Sequence, residues 1–138
     1  MRIDKRINYL IGLDTETCNG IVVDDKLDLS QSLVYDIGWV VADKQGRIYE
    51  KRSFLIYDVF VGMSDVMQSA YYAEKIPMYW EQVKAGSRKL VRWSTMRKIL
   101  MNDINTYGVK NVFAHNAGFD YRALNNTTRY LSKSKYCM

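Results

Sequence analysis

Two neighbouring segments constrain the fold most: "LVYDIGWVVAD", residues 33 to 43, and "RIYEKRSFLI", residues 47 to 56. Both are rich in β-branched and aromatic residues, which favour strands. The residues joining them, Asp43 to Gly46 in "DKQG", are good turn formers, so the pair reads as a β-hairpin. The second strand alternates Ile48, Glu50 and Arg52 against Tyr49, Lys51 and Ser53, with no clean apolar face. An exposed or edge strand is expected there.

Around this hairpin the chain alternates between strand and helix. "INYLIGL", 7 to 13, is apolar and suits a central strand. "GIVVDDKLDLSQS" reads as a loop or short excursion. From Ser64, a candidate N-cap, Val66, Met67, Ala70 and Tyr71 fall at helical spacing, and Pro77 forces a break before a second piece, "MYWEQVKAG". "WSTMRKILMNDINTYG" places Met96, Ile99, Leu100, Ile104 and Tyr107 on one helical stripe, with Ser94 as cap and Gly108 as stop. "KNVFAHN", 110 to 116, reads as a short buried strand and "AGFDYRALNN" as a helix leaving it; the tail "TTRYLSKSKYCM" is polar and basic with little periodicity. The order implies an α/β fold with a mixed sheet: an antiparallel hairpin beside a central strand, a parallel crossover and flanking helices. Its 138 residues, without internal repeat or linker, suit one domain over 1–138.

Two acids, Asp14 and Glu16, close the first strand in "YLIGLDTETCNG". Residues i and i+2 of a strand share a face, so both carboxylates would converge at its C-terminal end, where open α/β sheets place their ligand crevices. Close like charges repel, and a divalent cation such as Mg²⁺ or Mn²⁺ relieves this. A solvated turn explains the same triplet. Asp120, in "FAHNAGFDYRAL", either complements a helix dipole or, if strand 110–116 lies beside the first strand, joins the same crevice.

The two motifs together resemble those of the DnaQ-like 3′-5′ exonucleases of the DEDD class, nucleases of the ribonuclease H-like superfamily. A hydrophobic strand ending in D-x-E matches "LIGLDTETCNG", and an apolar strand followed by H-N-x-x-F-D matches "NVFAHNAGFDYRAL" about a hundred residues further along. The resemblance implies a hydrolase that uses two Mg²⁺ or Mn²⁺ ions to cleave phosphodiesters from a single-stranded 3′ end. It carries metal-binding and catalytic roles to Asp14, Glu16 and Asp120. Thr15 would lie near the terminal nucleotide; Asn116 would shape the second motif by hydrogen bonding and Phe119 mainly by packing. His115, the single histidine, is expected to be structural. Single-stranded DNA is the expected partner, with RNA as the alternative.

The family's third motif, H-x(4)-D or Y-x(3)-D, supplies a fourth carboxylate and the general base. After Asp120 the sequence has no Asp, Glu or His. The chain therefore reads as the N-terminal three quarters of the fold, truncated or completed by a partner chain, with weak or no activity. An apolar sheet face left bare would favour a homodimer or marginal stability. A non-catalytic nucleic-acid-binding or partner-binding module is the alternative. A formal charge of +5 suits a phosphate-bearing partner, and Lys84, Arg88, Lys89, Arg92, Arg97 and Lys98, with Trp80 and Trp93 among them, would either follow a single strand or form a solvated face. Cys18 and Cys137 form no metal or disulfide pattern, and no apolar run approaches ~18 residues, so a reducing, cytoplasmic setting without membrane contact is expected.

Overall fold

The computed structural model describes residues 3–19, 22–23, 26–27, 32–68, 70 and 72–136. The elements run β1 (Leu10–Asn19), β2 (Val22–Val23), β3 (Lys26–Leu27), β4 (Ser32–Ala42), β5 (Ile48–Ile56), α1 (Tyr57–Phe60), α2 (Ser64–Met67), a 3₁₀ turn (Ala73–Lys75), α3 (Ile76–Ala85), β6 (Lys89–Val91), α4 (Trp93–Tyr107), β7 (Asn111–Phe113) and α5 (Ala117–Tyr136). Five strands form an open mixed sheet in the order β6-β5-β4-β1-β7, and β2 and β3 pair separately. β1 is antiparallel to β4 and parallel to β7, β4 is antiparallel to β5, and β6 is parallel to β5. Most of the 20–32 excursion, together with Tyr71 and Cys137, lies outside the described residues.

The hairpin forms as its turn chemistry requires. The Asp43 carboxylate accepts the backbone N–H groups of Gln45 and Arg47, and Gly46 takes φ +87°, a left-handed conformation that glycine adopts without strain. β5 is not an edge strand throughout. Only its first half is exposed; Phe54, Leu55 and Ile56 are buried and pair with β6, a strand the sequence reading did not anticipate.

β1 begins later and extends further than the apolar run suggested. Ile7 belongs to a turn, its N–H donating to the Asp4 carbonyl. β4 is 11 residues long and continues to pair with β1 from Asp14 to Asn19, well past Leu13. β4, rather than β1, is the middle strand. β7 pairs only with Leu10–Gly12, and Phe113 remains 54% exposed, so the expected buried strand over 110–116 is a short, exposed edge strand.

One sheet face is packed. Ile11, Ile37 and Val41 are fully buried in a cluster that includes Leu13, Trp39 and Phe54 from the strands and Met96, Tyr107 and Ala123 from α4 and α5. Fully burying each such aliphatic side chain contributes about 1.5–3 kcal/mol. A polar network crosses this packing: buried Asp103 of α4 accepts the Trp39 indole N–H at 2.9 Å and two guanidinium N–H groups of Arg52 at 3.1 Å. α4 follows its predicted stripe and stops at Gly108 (φ +62°), but Ser94 is not its cap. Instead Asp58 accepts the Trp93 backbone N–H at 2.7 Å from across the fold.

The segment after Ser64 holds only one helical turn, and Ser64 makes no capping bond. Pro77 stands in the first turn of α3 rather than breaking a helix, since its missing N–H would be unpaired there in any case. The largest departure is the tail, which is helical to Tyr136. Asp120, Ala123 and Thr127 are buried and Leu124 and Leu131 half-buried, at helical spacing. α5 therefore docks on a stripe that is partly polar. No helix among the described residues is long and apolar enough to cross a membrane.

Thr127 shows how that stripe works. β4 carries one extra residue, Tyr35, between the pairs Glu16–Asp36 and Thr17–Val34. At this bulge the Val34 N–H donates to the Thr127 hydroxyl at 2.9 Å, and that hydroxyl donates on to the Ala123 carbonyl at 2.7 Å. Thr127→Val keeps the shape and strands a buried N–H, which should destabilise the protein by about 1–3 kcal/mol in urea unfolding. Thr127→Ser should keep most of the stability; equal stability of wild type and Thr127→Val would show that the bond contributes nothing.

Candidate active site

The acids are placed by the pairing of β1 with β4. Asp14 stands opposite Gly38 and Glu16 opposite Asp36, so these positions share one sheet face, away from the face that carries Thr15. Ser53 of β5 faces Gly38 in the next register. Because Gly38 has no side chain, the space beside Asp14 stays open. A Cβ at Gly38 would sit 3.2 Å from the Arg52 carbonyl oxygen, closer than most such contacts, so β5 leaves little room for a larger residue.

The result is a cleft of about 210 Å³ lined by Asp14, Glu16, Asp36, Gly38, Ser53 and Arg88. It adjoins a shallower groove of about 500 Å³ across the open sheet face, lined among others by Gly12, Val40, Lys51, Phe113 and His115. A concavity of about 520 Å³ between the N-terminal segment and the end of α4 contains no acid and lies away from these residues.

The charges in the acid cleft oppose one another. Partial burial pushes the Glu16 carboxyl above its usual range, and repulsion from Asp14, Asp36 and Asp120 adds to this while Lys75 counters it. Burial likewise raises Asp36, against the pull of Arg88, whose guanidinium donates to Asp36 at 2.8 Å.

The structure gathers the expected residues unevenly. Asp14 is exposed, Glu16 is half-buried, and the two share a face without β7 beside them, since that strand stops opposite Gly12. Asp120, 5% exposed, reaches β1 from the first turn of α5 and accepts the Thr15 hydroxyl at 2.5 Å. Thr15 thus turns its hydroxyl to Asp120, within the packed side. Asn116 is exposed in the turn before α5, and its carbonyl accepts the Asp120 backbone N–H at 3.0 Å; Phe119 is half-buried and His115 exposed. Trp93 is buried and its indole N–H donates to Thr128, so it offers no face to a base, whereas Trp80 is 37% exposed.

Hard carboxylate oxygens suit Mg²⁺ or Mn²⁺, and Asp14 and Glu16 fit such an ion as a pair. Among the described residues no three acidic, histidine or cysteine side chains are gathered closely enough to hold one. Asp36 and Asp120 each have an oxygen engaged, by Arg88 and Thr15.

Sequence reasoning missed Asp36, Gly38, Ser53 and Arg88 as parts of the cleft. A signal for Asp36 existed: it is the one charged residue within the β4 segment "SLVYDIGWVVA". No family model matches the chain, and no curated protein shows significant sequence similarity to it.

The raised Glu16 carboxyl makes a signed prediction. Its folded-state value lies above its unfolded one, so its favourable contribution is complete below the ordinary carboxylate range and is lost as pH rises through the raised value. At neutral pH Glu16 therefore opposes folding. Glu16→Gln should raise Tm at pH 7, and the gain should vanish below about pH 4. An unchanged or lower Tm in the variant at pH 7 would contradict this placement of Glu16.

Proposed function

We propose that this chain has a ribonuclease H-like fold of the DnaQ-like exonuclease type and that its acid cleft serves metal-dependent removal of nucleotides from single-stranded 3′ ends, most simply of DNA. The observation that carries the reading is the same-face placement of Asp14 and Glu16 beside an open Gly38, in a chain that also has the H-N-x-x-F-D motif in the turn and first turn leading into α5. Asp14 and Glu16 would hold a divalent cation, which when bound would lower the pKa of an attacking water and neutralise charge on the phosphodiester.

The chain's own residues have separable tasks in this reading. Asp14, the more exposed acid, meets solvent and substrate. A cation bound at Glu16 would offset the burial and the like-charge repulsion that together raise its carboxyl. Asp120, through Thr15, ties the start of α5 to the strand that carries both acids, and Asn116 continues that connection through its carbonyl. The open groove beside the cleft offers room for the nucleotides preceding the 3′ end.

In this reading Asp14, Glu16 and Asp120 would be three of the family's four carboxylates. A non-catalytic nucleic-acid-binding module is favoured instead by one specific observation: Asp120 is engaged by Thr15 rather than turned to the face of Asp14 and Glu16.

A 5′-labelled single-stranded oligonucleotide incubated with Mg²⁺ or Mn²⁺ tests both. Stepwise shortening from the 3′ end, abolished by Asp14→Ala, is the expected result for the enzyme. Binding without shortening by wild type would assign the module, and neither binding nor shortening would refute the nucleic-acid reading altogether.

A further inference from the structure

Arg88 differs from the other basic residues of its segment. The loop after α3 brings it into the acid cleft, where its Nη1 donates to Asp36 at 2.8 Å and its Nε donates to the Gln82 carboxamide oxygen at 2.9 Å. Its guanidinium also lies over the Tyr79 ring, 5.2 Å from the centroid. Its partners are anchored in turn. Tyr79 packs edge-on against Tyr35, the extra residue of the β4 bulge, and against Phe60. α3 closes on Gly86 (φ +79°), and the backbone N–H groups of Ser87 and Arg88 donate to the Gln82 carbonyl. The guanidinium is thus fixed before any ligand arrives.

Two of its five N–H donors are used in those bonds. The side chain is 21% exposed, and among the described residues it is the one cationic side chain lining a cleft that otherwise carries Asp14, Glu16 and Asp36. A freely solvated lysine or arginine would lose side-chain entropy on meeting a ligand; Arg88 has already lost most of it. A planar fork with open donors matches two oxygens of a phosphate, and a carboxylate cleft by itself repels that group.

We infer that Arg88 is a phosphate-contacting residue of the cleft, binding non-bridging oxygens of the nucleic-acid backbone, and that Asp36 is a positioning residue that aims its guanidinium. The inference rests on the nucleic-acid reading above and adds a specific substrate contact to it. It also gives the Asp36–Arg88 pair a role distinct from metal binding: one carboxylate of the cleft is spent on holding the cation that faces the substrate.

The test is binding of a fluorescein-labelled oligothymidylate to the full chain in EDTA, measured as Kd over a series of salt concentrations. Arg88→Gln should weaken binding about 5- to 10-fold and reduce the slope of log K against log salt by ~0.7, the single-strand value for one phosphate contact. Arg88→Lys should keep the slope and lose only part of the affinity, because the charge remains while the fork is lost. Asp36→Asn should leave the slope near that of wild type and raise Kd, as expected for a misaimed cation. Thermal unfolding of each variant separates these effects from loss of fold. If Arg88→Gln unfolds, a wild-type slope and Kd in Arg88→Lys would overturn the proposal, since a fork contact cannot be replaced by an ammonium without loss. Wild-type binding with Kd and slope unchanged in Arg88→Gln would overturn the Arg88 assignment and leave the function standing. Absence of salt-dependent binding by wild type would remove the nucleic-acid reading and this inference with it.

Discussion

Antiparallel pairing of β1 with β4 is the constraint on which the rest depends. It carries both buried strands of the core, and a one-residue slip would turn Ile11 and Leu13 to the open face and Asp14 and Glu16 into the packing. Burying those carboxylates without partners would be far more unfavourable than any local gain. The register that buries the aliphatic residues is thus the register that collects the acids. It also sets Gly38 beside Asp14 and Asp36 beside Glu16, so core and cleft follow from one alignment.

The bulge at Tyr35 connects that alignment to the surrounding helices. Its displaced Val34 N–H is taken by Thr127 of α5, while Tyr35 joins Phe60 and Tyr79 in an aromatic cluster that seats α1 and α3. Bulges commonly redirect side chains near functional sites. Here one extra residue ties α5 to β4 through Thr127 and brings α3, with the Gln82 and Tyr79 that hold Arg88, to the cleft.

Much of this was legible in the sequence because it rests on periodicity and turn chemistry. The hairpin, the stripe of α4 and the face shared by Asp14 and Glu16 all depend on local repeats of two or 3.6 residues. The parts that escaped depend on tertiary partners. β6 is three residues long and exists only because Phe54–Ile56 offer it an edge. The tail from Thr127 showed little periodicity because Thr127 docks it through hydrogen bonds rather than by an apolar stripe. Asp36 and Arg88 are 52 residues apart, and their pairing follows from the path through α1 to α3, which no local pattern encodes. Trp93, chosen as a stacking candidate for its basic neighbours, is buried because the fold needed its ring at the foot of α4.

The central claim is that the Asp14–Glu16 face is where a divalent cation binds. Substoichiometric Mn²⁺ added to ¹⁵N-labelled protein broadens amide signals near the ion and so locates it. The account predicts that the signals of Asp14 to Glu16, Asp36 to Gly38 and Ser53 fade first, and that this selectivity disappears in the Asp14→Asn, Glu16→Gln double variant. Earlier broadening around exposed acids elsewhere, such as Glu74 or Glu81, with the β1–β4 signals intact, would contradict it.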